Sequence, residues 1–118
     1  MGFILDNVLI AEPITVATTV NTTTTFDPID ITYKEDAFAI QLVYDNGSSV
    51  NMTLFLEVSI DGINYSRIGD SEQVITDATG SHVWDLEDSG TNWMRVGVEV
   101  TAGSIDVSSV RYSMRRRH

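Results

Sequence analysis

Hydrophobic and polar positions alternate along most of the chain after residue 36, most clearly in residues 53 to 65. Leu54, Leu56, Val58 and Ile60 alternate with Phe55, Glu57 and Ser59, the period of two expected of a strand with one buried face. The run stops at Asp61-Gly62, a pair that accepts left-handed backbone at low cost, and resumes as Asn64-Tyr65-Ser66-Arg67-Ile68. This pattern predicts a hairpin within an antiparallel sheet.

The same period recurs on both sides. Phe38, Ile40, Leu42 and Tyr44 share one face of a strand over residues 37–44, and Asn46-Gly47 marks a turn in residues 45–49. Gln73-Val74-Ile75-Thr76 predicts a short strand, and His82-Val83-Trp84-Asp85-Leu86 another, closed by a polar turn at Glu87-Asp88-Ser89-Gly90. In residues 93–100, Met94, Val96, Val98 and Val100 face one way and Trp93, Arg95, Gly97 and Glu99 the other. Thr101-Ala102-Gly103-Ser104 predicts the next turn. In the last strand Ile105 and Val107 have one parity and Val110, Tyr112 and Met114 the other, so a β-bulge at Ser108-Ser109 must restore the buried face. Seven or eight short strands with no long helical stretch after residue 12 predict an all-β fold, an antiparallel β-sandwich of jelly-roll or immunoglobulin-like type. Strand order is not legible in the pattern.

The opening differs. Apolar groups Phe3-Ile4-Leu5 and Val8-Leu9-Ile10 precede Glu12-Pro13, a β-branched run over residues 14–20, a threonine tract and Phe26-Asp27-Pro28. Threonine and β-branched residues favour extended backbone, which predicts one or two strands here. Two readings of the first ten residues stand side by side: a short helix or strand closing one end of the sandwich, or an extended arm burying Phe3, Ile4, Leu5, Val8, Leu9 and Ile10 against a neighbouring subunit. The expected division is residues 1–30 as N-terminal arm or edge strand, 31–114 as the sandwich, and 115–118 as a basic tail.

Composition narrows the classes. The chain has 118 residues, enough for one domain with its own core, and no cysteine, so disulfides and thiolate chemistry are excluded. Its apolar start carries no Lys or Arg, breaks at Asp6-Asn7 and is too short to span a bilayer, so neither signal peptide nor membrane segment is expected. Glycosylation-type triplets such as Asn64-Tyr65-Ser66 read as chance matches in a chain rich in Thr, Ser and Asn. Net charge is −10, from 17 acidic and 7 basic residues. Arg111, Arg115, Arg116 and Arg117 are four of the seven basic residues, so residues 1–110 hold three against 17 acids, 3 − 17 = −14. Such a body repels nucleic acid, and only the tail could reverse that locally.

No chemistry-bearing constellation emerges. The two histidines, His82 and His118, lie in a strand and at the last position, and no phosphate loop, metal-binding histidine pair or nucleophile elbow occurs, so no catalytic residue, cofactor or metal is expected. Asp61-Gly62-Ile63-Asn64 and Asp85-Leu86-Glu87-Asp88 offer oxygen ligands, but their spacing does not match the calcium loop and turn chemistry accounts for them. Trp84, Trp93 and Tyr65 could stack on sugars, against the commoner core placement of such rings in strands. The Arg115-Arg116-Arg117 run reads as a solvated tail or as a contact with an acidic patch on a neighbour.

Taken in order, Ala37-Phe38-Ala39-Ile40-Gln41-Leu42-Val43-Tyr44, Val58-Ser59-Ile60-Asp61-Gly62-Ile63-Asn64-Tyr65, Gly80 to Leu86 and Trp93-Met94-Arg95-Val96 resemble the ordered blocks of small β-sandwich virion proteins of tailed bacteriophages. The resemblance covers residues 36 to 112, with Tyr65 where a tryptophan is commoner. It implies a non-enzymatic structural protein of a phage particle, made in the host cytoplasm and assembled into the virion. It also implies capsid or tail proteins as partners and a homo-oligomeric state. Capsid decoration is the first expectation, with a tail-associated protein or a carbohydrate-binding module as alternatives.

Overall fold

A computed structural model of the chain describes residues 8–31, 37–87 and 91–115. Among these residues eight strands follow one another: β1 (Val8–Val20), β2 (Thr24–Thr25), β3 (Ile29–Asp30), β4 (Ala37–Ser59), β5 (Ser66–Arg67), β6 (Gln73–Ile75), β7 (Gly80–Glu87) and β8 (Trp93–Arg115). A 3₁₀ turn, Gly69–Ser71, lies between β5 and β6. Two strands of 23 residues each, β4 and β8, pair antiparallel from Ala37↔Arg115 to Ser59↔Trp93 and form a ribbon running through the whole fold.

The ribbon folds back on itself. Residues 37–44 and 105–115 form one sheet with β7 and β1 at its flanks; residues 52–59 and 93–100 form the other with β5 and β6 on one side and β2 and β3 on the other. Side chains from both halves meet in one core: Phe38, Ile40 and Leu42 of the first sheet pack with Met52, Leu54, Val96 and Val98 of the second. The result is the expected antiparallel β-sandwich, held by side chains each contributing about 1.5–3 kcal/mol on full burial.

At the fold-over, the predicted turns are corners rather than reversals. Register shifts fall between Asp45 and Asn51, opposite Ala102 and Ser104, and both strands continue through. Asn46 and Ser49 each take φ of 53° and Gly103 takes 87°. A Cβ on Gly103 would collide with the carbonyl oxygens of Ser48 and Ser49, so only glycine fits. Asn-Gly and Ala-Gly supply positive φ, which a bulge uses as readily as a hairpin turn; here the long apolar runs on either side pair with each other and decide for the bulge. The bulge expected near Ser108 is present: Val43 pairs with Ser109 and Tyr44 with Val107, leaving Ser108 unmatched against β4 and bringing Val107 and Val110 both into the core.

Val8, Leu9 and Ile10 open β1, which pairs along its own chain's β8 from Val8↔Arg115 to Val20↔Ile105. Phe3, Ile4 and Leu5, and likewise Arg116 and Arg117, lie outside the described residues, as does most of the turn expected at 87–90. One expected core position is corrected. β4 ends at Ser59, which is buried, and Ile60 stands 70% exposed because the chain leaves the sheet there to enter a braced loop.

Candidate functional site

That loop connects β4 to β5 and is built around one carboxylate. Asp61 Oδ1 accepts hydrogen bonds from the Ser59 hydroxyl (2.9 Å) and the backbone N–H groups of Ile63 (2.8 Å) and Asn64 (2.9 Å), while Oδ2 accepts one from the Asn64 side-chain amide (2.9 Å). The Gly62 N–H donates to the Ser59 hydroxyl at 2.9 Å, closing the ring. These donors, the Asn64 and Ile63 backbone first, hold the Asp61 carboxyl well below the usual carboxylate range, so it stays ionised. Gly62 takes φ of 77°, and a Cβ there would press on the Trp93 indole, so the loop lies close over that ring. Asn92 secures the other side, its N–H donating to the Ser59 carbonyl and its amide to the Ile60 carbonyl (3.1 and 3.0 Å).

Beside the loop is a cleft of about 370 Å³. Val58 and Ile60 give it apolar wall, and Ser59, Asp61, Asn64, Ser66 and Thr91 line it with hydroxyl, amide and carboxylate groups. Its size falls in the lower part of the ligand-pocket range of ~300–1,000 Å³. Ile60 and Ile63, 70% and 79% exposed, project at the loop.

The outer face of the same sheet carries a layer of stacked aromatics and cations. Phe55, on the side away from the sandwich core, is buried with the Arg67 guanidinium 3.7 Å over its ring and Gly97 beneath it. Arg67 donates to Glu99 (2.7 Å) and Glu72 (3.1 Å). Arg95 repeats the arrangement 3.9 Å above Tyr65 and donates to Glu57 at 2.7 Å. The Tyr65 hydroxyl is buried and has no hydrogen-bond partner among the described residues.

The three predicted stacking residues therefore separate. Trp84 is a correction: it is 5% exposed in the core, its indole N–H donating to the Ser71 carbonyl at 2.8 Å, so it presents no face to a ligand. Its strand parity, shared with His82 and Leu86, turns it inward opposite Ile40. Tyr65 has one ring face capped by Arg95. Trp93 remains half-buried on the outer face, against the loop beside the cleft. The cleft residues Ser59, Asp61 and Asn64 were missed as a site because the Ser-x-Asp-Gly-x-Asn block that holds them reads as a turn, which it also is; Ser66 and Thr91 lie outside that block.

His82 packs edge-on against Trp84 with ring centroids 4.7 Å apart, and burial lowers its pKa. Among the described residues no group of three or more His, Asp or Glu side chains converges, and no helix is long and apolar enough to cross a membrane. Asp61, whose carboxylate could offer oxygen ligands but whose spacing reads as turn chemistry, accepts four hydrogen bonds within its own turn.

No protein-family model matches the chain, and no curated protein matches it. Solved structures share its fold. The xylan-binding module CBM15 superimposes with a TM-score of 0.53 and 16% identity over 92% of this chain and 78% of that one. The CBM22-1 and GH10 modules of Clostridium thermocellum endo-1,4-β-D-xylanase 10B, complexed with xylohexaose, give 0.52 and 7% over 96% of this chain and 29% of that one. The enzymatically active domain of bacteriophage CBA120 tailspike protein 4 gives 0.54 and 13% over 93% of this chain and 20% of that one. At these identities the likeness is one of fold: a β-sandwich of the kind found in carbohydrate-binding modules.

Proposed function

We propose that this chain is a non-catalytic recognition domain that binds carbohydrate at the cleft beside the loop over residues 59–66. The carrying observation is the lining of that cleft: hydroxyl and amide groups on a braced loop, next to the aliphatic walls of Val58 and Ile60. Sugars present hydroxyls at their rims and C–H faces at their centres, and such a lining complements both. Bracing by Asp61 lowers the ordering cost of binding. The edge-on packing of His82 against Trp84 supports a structural rather than a catalytic role for that ring. The CBM15 and CBM22 neighbours, named as binding modules, support the same class. An oligosaccharide array probed with the full chain and with the double variant Asn64→Ala/Thr91→Ala tests it. Hits that the variant loses are expected, and an array without hits removes the reading.

A second reading, a structural protein of a phage particle that decorates the capsid or belongs to the tail, is favoured by the ordered residue blocks over 36–112 and by the tailspike neighbour. Light scattering after size exclusion tests its assembly component. A multimer that falls to monomer when residues 1–7 are deleted supports an assembly arm, whereas a monomer in both cases counts against it.

A further inference from the structure

The charges around the cleft narrow what it can take, granted the carbohydrate reading above. Among the described residues Asp61 is the charged side chain in the lining. Two arginines stand on the outer face of the same sheet, and both are committed, Arg95 to Glu57 and Arg67 to Glu72 and Glu99. Those five side chains sum to 2 − 3 = −1, within a chain of net charge −10. A uronate, sulfate or phosphate entering the cleft would shed hydration beside a fixed carboxylate, and to gain a cation from the described residues of this sheet it would have to break an arginine out of an ion pair that also roofs an aromatic ring. An uncharged sugar meets none of that opposition: Ser66, Thr91 and Asn64 offer neutral hydrogen bonds, and Val58 and Ile60 an apolar surface for ring C–H groups.

We propose that the cleft selects neutral, hydroxyl-rich sugars and rejects anionic glycans. The test is calorimetric titration of the full chain with cellohexaose, xylohexaose and mannohexaose, and with oligogalacturonate and a heparin-derived oligosaccharide, at about 20 mM and about 300 mM salt. Neutral probes are expected to bind with little salt dependence, and anionic ones to bind about tenfold or more weakly at low salt, the gap narrowing as salt screens the repulsion. Equal or tighter binding of the anionic probes overturns this selectivity while leaving the carbohydrate reading standing. Absence of binding by every probe overturns both. Ser66→Ala/Thr91→Ala should lower neutral-sugar affinity, and Gln41→Ala, on the outer face of the other sheet, should not. The reverse pattern would move the site off the cleft and overturn the proposal.

Discussion

The two outer faces of the sandwich are built from the same two strands and differ completely. On the sheet containing residues 52–59 and 93–100, Phe55 and Tyr65 lie under Arg67 and Arg95, and three glutamates hold the arginines in place. On the sheet containing residues 37–44 and 105–115, the outward positions are Ala39, Gln41, Val43, Ser109, Arg111 and Ser113, leaving a shallow groove of about 260 Å³. The flanking strands explain the contrast. The second face is bordered by long partners, β1 and β7, whose ladders run most of its length, whereas the first is bordered by β2, β3, β5 and β6, of two or three residues each. A sheet with little edge pairing draws more of its stability from side chains, and the stacked layer supplies a second, smaller apolar cluster outside the main core. Cation–π contacts of about 0.5–2 kcal/mol, strengthened where the ring is desolvated, suit that purpose better than half-exposed ion pairs alone.

The most severe way to break the comparison is at the corner both faces share. Gly103→Ala must place a Cβ against the Ser48 and Ser49 carbonyls at positive φ. A loss of about 3 kcal/mol or more is expected, with both halves unfolding in one urea transition. Two separated transitions would show that the sheets are not one cooperative unit. Next, Phe55→Ala should cost about 3 kcal/mol although Phe55 lies outside the main core, while Val43→Ala on the opposite outer face should cost under about 1 kcal/mol. Comparable urea midpoints for the two variants would refute the idea of a second apolar cluster.

A third test sharpens the role of the loop. The pKa of Asp61 is lowered from 3.8, so the stability it contributes is fully present above that value and is lost as pH falls through its lower folded value. Between pH 7 and pH 2 the wild-type urea midpoint should therefore drop more steeply than that of Asp61→Ala. Parallel curves would mean that the loop is not braced by this carboxylate. The smallest effect is expected at Tyr65→Phe, which removes a buried hydroxyl that has no partner among the described residues. Stability should hold or rise by up to about 1 kcal/mol, and a clear loss would reveal a hydrogen bond in solution.

Much of this fold can be read from parity. The inward sets Phe38–Ile40–Leu42–Tyr44 and Met94–Val96–Val98, and the compensating bulge at Ser108, follow from the period of two, because a residue on the wrong face would expose apolar surface. Ile60 broke the pattern because the Asp61 hydrogen bonds lift it out of the sheet one residue early. Trp84 was correctly a strand residue, but whether an aromatic in a strand faces a ligand or the core depends on which sheet closes over it. The cleft was half legible: Ser59, Asp61 and Asn64 stand in one short block, but Thr91, just ahead of β8, is brought beside them only by the pairing of Ser59 with Trp93, and no local signal connects it to them.

Local chemistry decided where strands run, which residues face inward, and that positive φ would be needed at Gly103 and in the 45–49 segment, since alternation and Cβ sterics act over a few residues. Tertiary structure alone decided that those positions bend one ribbon over itself instead of ending four separate strands. A glycine permits a turn and a corner equally, and the choice falls to distant apolar runs that gain most by burying against each other.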